Sequence, residues 1–118
     1  MLTSSSFENV YLAVGPTDLR KSIDGLSIIV KQHFKLDPFS NALFVFCNKK
    51  KDKIKCLRWD NNGFWIYYKR LEKGCFRFPD KAENNTIAIT ERQFRWLLDG
   101  LALDQKRAHP SVIQRGIY

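Results

Sequence analysis

Two strand-like runs, Ile54 to Asp60 and Phe64 to Leu71, are joined by Asn61-Asn62-Gly63, and this junction limits the fold more than any other feature of the chain. Asn62-Gly63 suits the positive φ angles of a tight type I′ hairpin. A two-residue loop sets Trp59 across from Ile66. A three-residue loop over Asn61 to Gly63 sets it across from Trp65, and that slip exchanges the faces of one strand relative to its partner. Further strands are read over Val10 to Gly15, Ala42 to Asn48, Cys75 to Phe78 and Thr86 to Thr90, with turns at Lys49 to Lys53 and at Glu72-Lys73-Gly74.

Two helices complete the pattern. After Gly15-Pro16, Thr17 is placed as an N-cap and Asp18 sits in a first turn, where a negative charge favours the helix dipole. Leu19, Ile23, Leu26, Ile29, Val30 and Phe34 recur at three- and four-residue steps, which predicts one apolar stripe on a helix running to about Phe34. Asp37-Pro38-Phe39-Ser40-Asn41 breaks it. Thr90-Glu91-Arg92-Gln93 has the form of a capping box opening a helix through about Leu98, with Gly100 as its stop. The chain therefore reads as an α+β domain: an antiparallel β-meander of about five to six strands, packed with an N-terminal amphipathic helix and a short C-terminal helix. Its 118 residues suffice for one core, expected over residues 1–103, while Asp104 to Tyr118 reads as a basic, loosely held tail.

Charge narrows the partners. The formal net charge is +8, and between Lys49 and Arg77 ten Lys or Arg face three acids, so nearly all of the excess lies in the predicted hairpins. Such a surface attracts polyanions, of which nucleic acid is the commonest; ribosomal or membrane-surface association and plain solubility are the alternatives. Alternation along the hairpin places Trp65, Tyr67, Lys69 and Leu71 on one face and Phe64, Ile66, Tyr68 and Arg70 on the other. One set faces the helices, and the other presents rings and a cation able to stack on bases and neutralise phosphate. Alternatively both faces are buried, with Lys and Arg heads reaching past the rim. Three consecutive lysines, Lys49 to Lys51, have no core to serve, although they can also guard a sheet edge.

Catalytic and metal chemistry find little footing. Cys47, Cys56 and Cys75 are odd in number and lack CxxC spacing, so they read as buried hydrophobes in a reducing compartment, with neither a disulfide framework nor a metal site expected. The carboxylates show no spacing that forces two onto one site, and there is no phosphate loop or HExxH. The first ten residues do not resemble a secretory signal, and no apolar run has the length of a membrane span. The expectation is a cytoplasmic protein, nucleoid-associated if bound to DNA, with no cofactor.

The order of motifs adds a resemblance. Thr17-Asp18-Leu19-Arg20-Lys21-Ser22-Ile23-Asp24-Gly25-Leu26, Asp37-Pro38-Phe39-Ser40 and Leu43-Phe44-Val45-Phe46 are followed by Lys53 to Asp60, Gly63 to Glu72 and Phe76-Arg77-Phe78-Pro79. From about Val10 to Leu103 the chain resembles the small accessory proteins encoded by the second reading frame of bacterial insertion sequences of the sixty-six family, often called TnpB-type. The resemblance implies an auxiliary, non-catalytic role in transposition beside a separate transposase and another accessory protein, and it carries no catalytic residues over. Combined with the charge pattern, it leads to an expected DNA-binding surface of Lys49, Lys50, Lys51, Lys53, Lys55, Arg58, Lys69, Arg70 and Arg77, with Trp65 and Tyr67 as exposed rings. The rival expectation is a module that docks onto the transposase without touching DNA.

Overall fold

The computed structural model describes residues 9–80 and 84–103. Within them lie five strands, β1 (Asn9–Ala13), β2 (Ala42–Cys47), β3 (Lys53–Asp60), β4 (Gly63–Arg70) and β5 (Thr86–Ile89). Two helices accompany them, α1 (Ile23–Ile28), prolonged by a wider π-type turn over Ile29–His33, and α2 (Glu91–Leu98). The strands form one sheet in the order β4-β3-β2-β1-β5.

The sheet is mixed, which corrects the purely antiparallel meander. β2, β3 and β4 do form an antiparallel meander, but β1 runs parallel to β2, with Tyr11 beside Phe44 and Leu12 beside Val45. The physical reason is α1. Parallel neighbours need a crossover connection, and the helix between β1 and β2 provides one. β5 then closes the other side of β1 in antiparallel register.

Every residue of β2 is buried. Its two faces are covered by different layers. Ala42, Phe44 and Phe46 pack with Leu26 and Val30 of the α1 segment, joined by Leu19, Ile23, Ile29 and Phe34, so the whole predicted stripe faces the sheet. Leu43, Val45 and Cys47 pack with Phe94 and Leu97 of α2 and with Phe76 and Phe78.

Three further expectations are revised. The α1 helix starts at Ile23, not after Thr17, because Asp18 is already engaged: its carboxylate accepts from the Arg20 backbone N–H at 3.0 Å and from the Arg20 guanidinium at 2.8 Å. Cys75 to Phe78 is not a strand. Phe76 and Phe78 drop into the core at 1% and 4% exposure, and this stretch caps the sheet instead of joining it. In the hairpin, Asp60 pairs with Gly63 across a two-residue loop of Asn61 and Asn62, so Trp59 lies across from Phe64, a register that neither loop reading placed. Asn61 supplies the positive φ, at 58°, and the Asn62 N–H donates to the Asp60 carbonyl.

The α2 capping box forms as its sequence predicts. The Gln93 N–H donates to Thr90 Oγ1 at 3.0 Å, and the Thr90 N–H donates to Gln93 Oε1 at 2.9 Å. At the other end Gly100 takes φ 80°, its N–H donating to the Leu97 carbonyl while that of Leu101 donates to the Trp96 carbonyl, a Schellman closure. The predicted tail, residues 104–118, lies outside the described residues. Among those described, no helix is long and apolar enough to cross a membrane.

The cysteines divide by depth. Cys47 and Cys56 are buried as expected, but Cys75 is exposed, because it precedes the point at which Phe76 turns into the core. Desolvation pushes the Cys47 thiol up to about 12 and raises that of Cys56 as well. A thiol-specific reagent at pH 8 is therefore expected to modify Cys75 rapidly in the folded protein, and Cys47 and Cys56 only after denaturant is added. Fast native labelling of Cys47 or Cys56, located by mass spectrometry, would contradict this packing.

Candidate nucleic-acid interface

The turn between β2 and β3 is built around Asn48. Its side-chain oxygen accepts from the backbone N–H groups of Asp52 and Lys53 at 3.1 and 3.0 Å, and its amide donates to the Asp52 carboxylate at 2.7 Å. Lys51 adopts φ 61° within the loop. The Asn48 amide, helped by Lys53, holds the Asp52 carboxyl below its ordinary value. This scaffold fixes the backbone of a three-lysine loop against the mutual repulsion of its side chains.

The Cys75 to Phe78 segment docks on the same loop. The Phe76 N–H donates to the Lys51 carbonyl at 2.7 Å, and Cys75 Sγ approaches the Lys50 carbonyl at 3.5 Å. Arg77 is thereby carried to the end of the sheet that holds the lysine turn. Lys53 and Arg70 are cross-strand partners at that end. The structure thus gathers Lys49, Lys50, Lys51, Lys53, Arg70 and Arg77.

Of the remaining predicted residues, Lys69 and Lys55 lie one and two pairs further along the same end, on opposite faces, and Arg58, Trp65 and Tyr67 lie elsewhere. Arg58 pairs with Trp65 across the hairpin, five residues along β3 from Lys53, or about 16 Å at a strand rise of roughly 3.3 Å per residue. The Arg58 side chain is only 14% exposed and sits 3.6 Å from the Asp60 carboxylate, which also accepts from Trp65 Nε1 at 3.1 Å. Trp65 is 52% exposed and stacks at 6.1 Å on Tyr67, which is not the exposed ring expected but is half-buried against the α2-side core. On the other face of the same end, Phe39, Trp59 and Phe64 form a second ring cluster. Lys69 shares the Trp65 face, and its Nζ donates to the Leu98 carbonyl at 2.8 Å, the C-terminus of α2, where a cation is favoured.

The cations of the basic end are engaged to different degrees. Lys51 contacts Asp80 at 2.7 Å, Lys53 lies 3.4 Å from Asp52, and Arg70 meets Glu72 at 2.8 Å. Solvent screens these exposed and half-buried pairs, so a phosphate can replace the carboxylate at little cost. Lys49, Lys50 and Arg77 are exposed and make no ion pair among the described residues.

A cleft of about 530 Å³ opens beside this end, on the α1 face of the sheet, lined by Asp18, Leu19, Arg20, Asn48, Lys53, Lys55 and Tyr68. Lys55 Nζ donates to the Lys21 carbonyl at 3.2 Å, which ties the loop before α1 to β3. Tyr68 is 54% exposed and lies across from Lys55. Cations beside an accessible ring are the combination that can hold a phosphate and stack a base. Arg20 and Tyr68 were absent from the sequence-derived site. Their signals were available, in the Arg20-Lys21 pair and in the face alternation that joins Tyr68 to Lys53 and Lys55. Among the described residues no three His, Cys, Asp or Glu side chains group to hold a metal.

The Asp18–Arg20 clasp shapes the cleft rim. The Arg20 guanidinium, with its backbone N–H, lowers the Asp18 carboxyl to about 2. A depressed carboxylate contributes above its ordinary value and is lost as pH falls through the lowered one, so the clasp persists down to strongly acidic pH. Side-chain NMR titration is expected to show an Asp18 midpoint near 2, returning toward 3.8 in Arg20→Ala. An unchanged midpoint in that variant would assign the shift to another group.

The sequence pattern of a family described as IS66 Orf2 like protein matches residues 8–108. Two similar proteins come from Sinorhizobium fredii (strain NBRC 101917 / NGR234). The uncharacterized protein y4hO is 36% identical over 101 residues, covering 86% of this chain and 87% of that one. The uncharacterized protein y4jC is 29% identical over 110 residues, covering 93% of each. No solved structure matches the chain.

Proposed function

The chain belongs to the IS66 Orf2-like family, associated with an accessory role in transposition, and from that premise we propose that it serves an insertion sequence by binding DNA through the basic end of its sheet. The observation that carries the reading is the convergence of Lys49, Lys50 and Arg77, all exposed and without an ion pair among the described residues, beside a cationic cleft that contains Tyr68. Lys51, Lys53 and Arg70 add charge whose present partners are exchangeable. Arg20 and Lys55 extend the track to the α1 face. No helix carries this cationic surface, so contact is expected mostly with the phosphate backbone and only weakly with base edges. The chemistry of transposition falls to a separate transposase.

Docking onto that transposase without DNA contact is a second reading. The ring clusters favour it, since Trp65 and Phe39 are about half exposed at the end of the sheet away from the lysines. Large exposed aromatics are common anchors of protein interfaces.

Fluorescence anisotropy with labelled duplexes separates the two. With about five phosphates contacted, log affinity against log salt is expected to fall with a slope of roughly −4 to −5, and replacing Lys49, Lys50 and Arg77 with Ala reduces that slope by about 3. Trp65→Ala leaves it unchanged. A salt-insensitive affinity, or one that Trp65→Ala abolishes and the triple variant does not, would transfer the function to the aromatic end.

A further inference from the structure

β4 is an edge strand whose one usual protection is the pair of cations at its end, Lys69 and Arg70. It is eight residues long, contains no proline, and keeps an unbroken register with β3 from Asp60↔Gly63 to Lys53↔Arg70, so no bulge twists it away. The opposite edge, β5, has only four residues. Among the described residues no strand pairs with the outer side of β4. An edge of this length and composition is a template for another strand.

The hairpin fixes which backbone groups are available. Asp60 and Gly63 flank a two-residue loop and form a hydrogen-bonded pair, so odd-numbered residues of β4 address β3 and even-numbered ones point outward. The bond from the Leu71 N–H to the Asp52 carbonyl, at 2.8 Å just beyond the strand, falls on the same parity. Phe64, Ile66, Tyr68 and Arg70 therefore offer their N–H and C=O groups along the free edge.

We infer that β4 pairs with β4 of a second copy of this chain, antiparallel and two-fold symmetric about Tyr67, to give a continuous ten-stranded sheet. The strand is self-complementary in this register. Ile66 meets the partner's Tyr68, and Phe64 meets the partner's Arg70, which uses all the outward backbone groups of the strand. Trp65 faces the partner's Lys69 in a close, non-hydrogen-bonded pair. The cations occupy only the last two positions of β4 and the exposed indole lies near its start, so reversing one copy sets charge against ring and opposes no like charges. A parallel arrangement would stack the cations on one another. This pairing stands on the edge geometry and not on DNA binding, so either can fail without the other.

Sedimentation velocity of the full chain over a wide concentration range, together with a designed cross-link, tests the inference. Wild type is expected to convert from monomer to dimer as concentration rises. Ile66→Pro removes one outward N–H at a position where an edge strand tolerates proline, and it is expected to shift the midpoint to at least about tenfold higher concentration. The double variant Trp65→Cys with Lys69→Cys is expected to give a covalent dimer on mild oxidation, because Cα atoms in such a pair lie about 4.5 Å apart, within disulfide reach. Both cross-linking variants carry Cys75→Ser, because Cys75 is an exposed free thiol, and in that background the Trp65→Cys single variant is expected to give none. A chain that stays monomeric and leaves the double variant uncross-linked, whether the edge is covered by its own tail or by nothing, overturns the proposal. So does a dimer with the wild-type midpoint in Ile66→Pro and no cross-link in the double variant, which would place the interface on another surface.

Discussion

The structure depends on one constraint: β2 is apolar at every position and must be shielded from water on both faces. A fully buried Phe or Leu side chain contributes roughly 1.5–3 kcal/mol, so an uncovered face of this strand would remove much of the stability of a domain this small. One cover comes from α1, which lies between β1 and β2 in the chain and returns it in the same direction. The parallel β1–β2 pair is thus a consequence of the first layer. The other cover is composite, made by α2 together with Phe76 and Phe78, because an eight-residue helix cannot shield the whole face alone.

The same arrangement decides where chemistry can sit. With β2 central, β3 and β4 fall to one side and their outer parts extend past the helices. Pairing parity then sorts the cations, sending Lys53, Lys55 and Arg70 with Tyr68 to the α1 face and Arg58 and Lys69 with Trp65 to the α2 face. The lysine turn and the Asn61–Asn62 turn occupy opposite ends of the hairpin. Charge therefore collects at one end, with Tyr68 as its exposed ring, and the clustered rings of Trp65, Trp59, Phe64 and Phe39 at the other. The segment after Gly74 strengthens this division, since burying its phenylalanines leaves Arg77 on the charged end.

Much of this was legible in the residues, for identifiable reasons. The α2 cap depends on four consecutive residues and no distant partner, so Thr90 and Gln93 revealed it directly. The α1 stripe was equally local, but its start was not: Asp18 could cap a helix or bond to Arg20, and only the folded loop distinguishes them. The parallel pair was implied by a helix between two strands, yet the clean hairpin signals downstream favoured an all-antiparallel reading. Phe76-Arg77-Phe78 alternates as a strand does, but alternation reports which way side chains point and not whether the backbone has a neighbour. For the candidate site, the sequence revealed the amount of charge, while the choice between two hairpin registers, which exchange the faces of one strand, left its distribution open. Asn48, which braces the lysine turn, carried no signal beyond its turn propensity.

The separation of a charged end from an aromatic end is the central claim, and amide NMR mapping with a short duplex tests it most directly. Addition of DNA is predicted to shift Asn48 to Lys53, Arg70, Cys75 to Arg77 and the Asp18 to Lys21 loop, leaving Trp59 to Trp65 and Phe39 in place. Shifts confined to the Trp65 end, or spread evenly over both ends, would contradict the account.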